Sequence, residues 1–286
     1  MLGLTSVVME AVTPPEYTQI ADAIRYLASN WREQPTLETL AAEVGLSPWH
    51  LQRVFTRWAG VSPKAFVQVL TTADARSRLE RTASVLDAAL DAGLSSGSRL
   101  HDLFLKVQAC TPGEYRSGGA GLELRWGWAP GPFGDTFIAS TPRGVCFLAF
   151  DDGDRQRPLT ELAADWPSAT LIEDAAMAQA AAARAFGEGM PELHLRGTPF
   201  QLQVWRALIA IPEGGVTSYG HLAAALGKPT AARAVASAVA RNPVSYLIPC
   251  HRVIRESGEF WKYRWGVDRK RTMLAYEAVR AASTGA

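Results

Sequence analysis

The sequence predicts a multidomain chain with an all-α unit, a small α+β unit and a mainly α unit, in that order. At 286 residues the chain exceeds the roughly 100 to 200 residues of a typical single domain. Apolar residues recur at helical spacing over residues 15–116, alternate as in a strand over 122–128, and return to helical spacing beyond Gly197. We therefore expect an N-terminal tail at 1–15 and units at 16–117, 118–193 and 194–286.

Two segments of the first unit, residues 40–55 and 89–104, resemble each other. In each copy a short apolar helix leads to a glycine, Gly45 or Gly93, and a serine stands where a second helix starts. Serine caps helix N-termini, and this order of elements is typical of the helix-turn-helix motif. Because two copies are too few for a solenoid, the pattern predicts a duplicated DNA-reading unit.

The second unit begins after residues 118–121, which are rich in glycine and mark a boundary. Alternation over residues 122–128 and the β-rich apolar run at 144–150 predict strands of a small sheet. The alanine-rich residues 173–186 predict a helix that ends at the glycines following it. These signals together predict an α+β unit.

Helical patterns return in the third unit. Apolar residues at helical spacing over 200–208 and 222–226 predict two helices. Pro229 is expected to open another helix, running through Ala240, because proline is favourable in a helical first turn. This unit is therefore expected to be mainly α.

The charge of the chain is unevenly distributed, although its net value is only +1. Residues 229–286 hold ten Lys and Arg against four Asp and Glu, whereas residues 151–195 hold nine acidic residues against three Arg. A local basic surface is what contact with nucleic acid requires. The basic charge is therefore concentrated, as contact with nucleic acid would require.

Cysteine usage and hydropathy indicate a soluble cytoplasmic protein. Cys110, Cys146 and Cys250 are odd in number and far apart, so they predict neither a disulfide framework nor a cysteine-rich metal site. The N-terminus lacks the basic start and apolar run of a secretory signal, and no stretch approaches the roughly 18 apolar residues of a membrane span. No membrane partner is expected.

Cys250 is the candidate nucleophile, because it lies between Pro249 and His251 and is followed by Arg252. A free thiol with a pKa of about 8.5 is mostly protonated at neutral pH, so a neighbouring base or cation matters for its reactivity. The four residues alone fit a buried structural cysteine equally well. Both interpretations remain open at this level.

The wider sequence resembles the O6-alkylguanine-DNA alkyltransferases in the order and spacing of several motifs. Residues 16–117 are similar to the AraC-type helix-turn-helix domain that precedes the transferase in the Ada-like members of that family. The N-terminal four-cysteine zinc and phosphotriester domain of those members is not expected here, because three scattered cysteines cannot form it. The matching transferase motifs are residues 197–206, 216–220, 232–235, 242–243, 248–253 and 263–266.

The resemblance implies both a fold and an activity. The expected folds are an AraC-type double helix-turn-helix domain, a ribonuclease H-like α+β subdomain and a winged-helix-like alkyltransferase domain. The implied reaction is the irreversible, single-turnover transfer of a methyl or larger alkyl group from O6-alkylguanine in DNA to Cys250, with O4-alkylthymine as a further substrate class. The target base must leave the duplex stack, because a cysteine cannot reach it there.

Residue roles also follow from the resemblance. Cys250 corresponds to the acceptor and His251 to the base that deprotonates it through a water, while Glu277 would orient His251. Tyr219 would rotate the nucleotide and donate a proton to the departing guanine, and Asn242 would brace the turn beside the active site. Further implied sites are Arg233, with Ala232 and Ser237, for base flipping and DNA contact; Val253, Tyr263, Arg264 and Trp265 for the guanine pocket; and Trp49, His50, Gln52, Arg53 and Arg57 for N-terminal DNA contacts.

The approach to the guanine pocket departs from the family pattern. Phe260, Trp261 and Lys262 stand where the relatives have a segment of smaller residues that includes glycine. The range of alkyl groups that the pocket accepts is therefore left open. No metal and no cofactor are expected. The expected partner is double-stranded DNA containing O6-alkylguanine, with promoter DNA and RNA polymerase as further partners. The protein is expected to be a monomer and to associate with the bacterial nucleoid.

Two alternatives compete with repair as the main function. The chain could be a transcription regulator whose transferase half senses alkylation, or a binding protein of the alkyltransferase-like class, which lacks the acceptor cysteine. Cys250 argues against the second. For residues 16–117, transcription activation by another trigger, DNA anchoring and a vestigial fold all remain open.

Overall fold

The computed structural model describes residues 14–33, 35–59, 62–70, 107–187, 190–260 and 262–284. The second helix-turn-helix copy, residues 89–104, lies outside the described residues. No helix in the described ranges is both long enough and apolar enough to cross a membrane.

The N-terminal part is helical, as predicted. Thr36 caps the second helix by accepting a hydrogen bond from the backbone N–H of Thr39, and Ser47 accepts one from His50 at the start of the third. Between them Gly45 adopts a φ of +67°, which favours glycine. The first predicted helix-turn-helix therefore forms. The helices are α1 (Pro14–Asn30), α2 (Leu37–Glu43), α3 (Pro48–Ala59) and α4 (Pro63–Leu70).

A six-stranded mixed sheet forms the middle of the chain, in the order β1-β6-β4-β3-β2-β5. Strands β2, β3 and β4 are antiparallel, β5 runs parallel to β2, and β6 runs parallel to both β1 and β4. The elements are β1 (Val107–Ala109), α5 (Pro112–Arg116), β2 (Glu123–Ala129), β3 (Thr136–Thr141), β4 (Gly144–Phe150), α6 (Arg157–Asp165), β5 (Thr170–Glu173), α7 (Ala175–Phe186) and β6 (Leu193–Leu195).

Strand β1 corrects the expectation that residues 16–117 are entirely helical. Val107 pairs with Leu193 and Ala109 with Leu195, so the chain joins the sheet before it reaches Gly118. The short strand satisfies the backbone groups along one edge of β6, a tertiary requirement that no local periodicity reveals. The predicted strands at 122–128 and 144–150 do form, as β2 and β4.

The C-terminal part is mainly helical, as predicted, with one shifted boundary. The helix expected to open at Pro229 begins at Ala232, because Lys228 accepts a backbone hydrogen bond from Ala231 in a turn that precedes it. The elements are α8 (Pro199–Ile209), β7 (Thr217–Ser218), α9 (Tyr219–Ala225), α10 (Ala232–Ala240), β8 (Val253–Ile254), which pairs with β7, and α11 (Val267–Thr284).

Helix α11 also contacts the N-terminal helices. Ala275 belongs to the same buried apolar cluster as Ile20 and Phe55, and Ala278 packs against that cluster. The guanidinium of Arg25 lies 3.7 Å from the carboxylate of Asp268. The helix-turn-helix unit therefore rests on the last helix of the chain.

Candidate active site

Cys250 begins a short 3-10 turn, Cys250–Arg252, and its side chain is buried. Asn242 Nδ2 donates a hydrogen bond to Sγ at 3.2 Å, and the hydroxyl of Tyr263 lies 3.6 Å from the same sulfur. Ser245 Oγ lies 3.0 Å from that hydroxyl. The thiol is thus surrounded by polar groups that can stabilise a thiolate.

The loop before Cys250 is held from two sides. Asn242 donates to the carbonyl of Ile248 at 2.8 Å and accepts from the backbone N–H of Val244 at 3.0 Å. Leu148 on β4 donates its N–H to Pro243 and accepts one from Ser245. The sheet therefore fixes the loop that presents the thiol.

His251 and Glu277 form a buried hydrogen-bonded pair. His251 Nε2 lies 2.7 Å from Glu277 Oε1. Arg252 donates from Nε to Oε2 and from Nη2 to Oε1 of the same carboxylate, both at 2.9 Å. Two cationic or proton-donating side chains thus bind one carboxylate, which fixes its orientation.

The electrostatics of this cluster favour an ionised glutamate and a neutral histidine. Burial alone would raise the pKa of Glu277, but Arg252 and His251 together lower it well below its usual range. Burial lowers the pKa of His251 despite the opposing effect of Glu277. A carboxylate only accepts hydrogen bonds, so Nε2 carries the imidazole proton and Nδ1 has a free lone pair. Nδ1 is buried and has no hydrogen-bond partner among the described residues.

A cavity opens beside the thiol between α10 and the segment that precedes α11. Burial raises the pKa of Tyr219 and of Tyr263, and the nearby Cys250 raises each further, so both hydroxyls stay protonated. The lining residues are Tyr219, Ala236, Val239, Ala240, Asn242, Cys250, Lys262, Tyr263, Arg264 and Trp265.

The pocket residues expected from the sequence lie in or beside this cavity. Tyr263, Arg264 and Trp265 line it directly. Val253 is buried, and its backbone carbonyl accepts a hydrogen bond from Lys270 Nζ. Arg264 also pairs with Glu161 of α6, so the α+β unit contacts the pocket rim.

Helix α10 has a buried face and an exposed face. Val235, Ala238 and Val239 are buried, and Trp205 of α8 donates its indole N–H to the carbonyl of Ala238 at 2.9 Å. The small residues of α10 therefore allow it to pack closely against α8. Arg233 and Ser237 are exposed, whereas Ala232 is half-buried.

The N-terminal candidates form a separate surface on α3. Trp49 is 71% exposed, and the guanidinium of Arg53 lies 5.0 Å from the centre of its ring. His50 and Gln52 are half-buried on the same helix, whereas the side chain of Arg57 lies outside the described residues.

Sequence reasoning missed several residues around the thiol. Arg252 stands inside the cysteine motif and binds Glu277, yet adjacency alone did not indicate this contact. Lys270 lies two helical turns before Glu277, so this spacing on α11 was the available signal; burial lowers its pKa to about 8. Phe260, expected at the pocket rim, instead packs against the N-terminal cluster and beside Ile254 and Leu274. Trp261 lies outside the described residues.

One other cluster offers metal-binding groups. The ligand atoms of Cys110, Glu114 and His194 lie within 4.8 Å of one another, a grouping that the sequence did not predict. Arg143, however, lies 2.6 Å from His194 Nε2 and pairs with Glu114. A fixed positive charge therefore stands among these groups, which disfavours a cation there.

Family models match one segment in the N-terminal part of the chain and one in the C-terminal part. Residues 199–279 match the family "6-O-methylguanine DNA methyltransferase, DNA binding domain", and residues 40–118 match "Helix-turn-helix domain". The bifunctional transcriptional activator/DNA repair enzyme Ada of Escherichia coli K12 is 38% identical over 251 residues, covering 85% of this chain and 70% of that protein.

Two further relatives are similar to this chain. The regulatory protein ada of Salmonella typhimurium is 36% identical over 269 residues, covering 91% of this chain and 75% of that protein. A methylated-DNA–protein-cysteine methyltransferase of Mycobacterium tuberculosis is 51% identical over 90 residues, 32% of this chain and 54% of that protein.

Proposed function

The chain belongs to the Ada-like family of O6-methylguanine DNA methyltransferases, and from this premise we propose that it repairs alkylated guanine by transferring the alkyl group to Cys250. The observation that carries the proposal is the buried Cys250 beside a His251–Glu277 pair whose imidazole Nδ1 has a free lone pair. The protein acts once, because a thioether is a poor leaving group and the thiol is not regenerated.

The first step is removal of the thiol proton. His251 Nδ1 accepts it through a water, and Glu277 stabilises the imidazolium that forms. Asn242 Nδ2, 3.2 Å from Sγ, stabilises the thiolate by a charge-assisted hydrogen bond. Tyr263, also near the sulfur, contributes a second donor.

The second step is displacement at the alkyl carbon. Sγ forms the new bond to carbon while the bond from carbon to guanine O6 breaks, and its electron pair remains on guanine. Tyr219 gives the departing guanine a proton and recovers one from solvent, which receives the proton held by His251. Burial raises the pKa of Tyr219, so its hydroxyl is protonated at neutral pH, as a proton donor must be.

The DNA must deliver its base from outside the cavity. We assign Arg233, exposed on α10, to the gap left by the flipped nucleotide, with Ala232 and Ser237 beside the DNA backbone. The small residues of α10 allow close approach. Val253, Tyr263, Arg264 and Trp265 then surround the guanine.

The finer assignments are part of the same proposal. Residues 16–117 are assigned to an AraC-type domain, except that 107–109 form strand β1 of the sheet. Residues 118–193 and 194–286 are assigned to a ribonuclease H-like subdomain and a winged-helix-like DNA-binding transferase domain. We propose a monomer that works on double-stranded DNA, with a cytoplasmic, nucleoid-associated location. Its substrate class includes O4-alkylthymine.

A second function, transcription regulation, is favoured by the exposed Trp49 and Arg53 on α3. An aromatic ring and a guanidinium on the second helix of a helix-turn-helix are suited to a DNA groove. Together with His50, Gln52 and Arg57 they would read promoter DNA and recruit RNA polymerase. In this alternative the transferase half serves as the alkylation sensor.

Mass spectrometry of the full-length protein tests the main proposal. After mixing with duplex DNA containing O6-methylguanine, the intact chain should gain one methylene mass, located on Cys250 by peptide mapping. Cys250→Ser is the matched control and should gain nothing. A methyl group on Cys110 or Cys146, or transfer retained by Cys250→Ser, would overturn the assignment.

A further inference from the structure

Tyr246, four residues before Cys250 in the chain, has an unusual backbone. Its φ is +67°, and it is the one non-glycine residue with a positive φ in the parts of the chain that the structure describes. Bulky L-residues avoid this region, because Cβ then crowds the backbone. Such strain persists only where the surroundings impose it, and it concentrates at functional sites.

The Tyr246 ring lies flat against the imidazole of His251. The two ring centres are 5.9 Å apart and their planes differ by 9°, an offset stack. The Tyr246 ring also packs against the rings of Phe133 and Phe186. The distances between ring centres are 5.2 and 5.1 Å, and both ring pairs are tilted relative to each other. These two phenylalanines belong to the α+β unit, so that unit supports the ring that lies on His251.

His251 needs such a support. Among the described residues its imidazole has a hydrogen bond only at Nε2, to Glu277, which fixes one ring atom and leaves rotation about that contact open. Nδ1 must nevertheless face the thiol if it is to take the proton. A flat neighbour restricts this rotation by steric contact, which a hydrogen bond at one atom does not.

We infer that Tyr246 is a positioning residue for His251, held in a strained backbone conformation so that its ring fixes the plane of the imidazole. The inference rests on the proposed alkyl transfer. It also gives the α+β unit a part in the reaction, because Phe133 and Phe186 form the wall behind Tyr246.

The single-use reaction allows a sharp test on full-length protein. With protein in excess over duplex DNA containing O6-methylguanine, the time course gives a rate constant and a half-saturating concentration. With DNA in excess, the endpoint gives the fraction of folded, competent protein. A variant that merely unfolds lowers the endpoint, whereas a misplaced base lowers the rate constant.

Tyr246→Leu should slow transfer by about tenfold or more at saturating protein while leaving the half-saturating concentration unchanged. Tyr246→Phe keeps the ring and should stay within about twofold of the natural protein. Phe137→Leu, a buried ring that packs on Trp126 and Trp128 within the sheet, is the matched control for lost aromatic packing and should change only stability.

An unchanged rate constant for Tyr246→Leu would overturn the inference, as would an equal slowing by Phe137→Leu. If Tyr246→Leu fails to fold, Phe186→Leu removes part of the wall while retaining the stack; a rate constant lowered severalfold then supports the inference, and an unchanged one overturns it. Failure of the natural protein to methylate Cys250 would instead defeat the proposed function.

Discussion

The two faces of α11 differ in how they contact the rest of the molecule. One face carries Lys270 and Glu277, buried charges that bind Val253 and His251 beside the thiol. The other carries Asp268, Ala275 and Ala278, which meet the N-terminal helices through small apolar contacts and a 3.7 Å ion pair. The first face interacts through directional hydrogen bonds, whereas the second interacts mainly through apolar packing. The same helix therefore supports the active site with one face and binds the N-terminal helices with the other. Substitutions on the two faces should have different effects.

The largest expected effect lies on the charged face. Glu277→Gln should slow transfer by about 100-fold or more, because the imidazolium loses the carboxylate that stabilises it. It should also lower the free energy of unfolding by about 3 kcal/mol, since Arg252 loses its buried ionic partner. Single-turnover kinetics and urea unfolding measure the two effects. Transfer at the natural rate would separate Glu277 from the reaction.

The pH dependence of stability provides a control for that variant. The pKa of Glu277 is lower in the folded protein than its ordinary value of about 4.3, so its ionised form stabilises the fold above that pH. This contribution should disappear as pH falls from about 4.3 toward the depressed pKa. Unfolding curves for Glu277→Gln should lack this component. Identical acid dependence in both proteins would contradict the assigned ionisation.

The second face should affect stability without affecting chemistry. Ala275→Asp places a charge in the apolar N-terminal cluster and should lower the free energy of unfolding by about 2 to 4 kcal/mol. The rate constant of the remaining folded protein should stay within about threefold of the natural value, because residue 275 faces away from Cys250. Ala183→Asp, on the exposed face of α7, controls for aspartate in a helix. A rate loss comparable to that of Glu277→Gln would show that the two faces are coupled.

The sequence predicted which residues lie around the thiol better than it predicted the residues that support them. The residues around Cys250 were found because their motifs have fixed spacing in a known family. Tyr246 acts through a loop conformation that leaves no local pattern, whereas Lys270 could have been found only from its helical spacing to Glu277. Phe260 looked like a pocket residue because it precedes Tyr263 in the chain, but its side chain packs toward the N-terminal helices.

The fold shows the same limit. Strands β2 and β4 were predicted, β2 because one of its faces is less buried and so produces alternation. Strand β3 is buried almost throughout, as β4 is, but its polar Thr136, Ser140 and Thr141 interrupt an apolar run. Strand β1 is defined only by its partner β6. The start of α10 was predicted three residues early, because proline permits a helical first turn without requiring one.

The smallest expected effect concerns DNA binding by the N-terminal helices that pack on α11. Arg53 is exposed on α3 next to Trp49. If it contacts a phosphate, Arg53→Ala should flatten the slope of log affinity against log salt by about 0.9, the share of one released counterion. Binding isotherms of the full-length protein on unmodified duplex DNA, at several salt concentrations, measure that slope.

Arg155 provides the matched control. Its guanidinium also lies over a tryptophan ring, 4.4 Å from the centre of Trp128, but it pairs with Asp135 at 3.2 Å within the acidic middle of the chain. Local negative charge repels a phosphate backbone, so Arg155→Ala should leave the salt slope unchanged. If Arg53→Ala also leaves it unchanged, Arg53 does not contact a phosphate, and any DNA contact of the N-terminal helices must involve other residues.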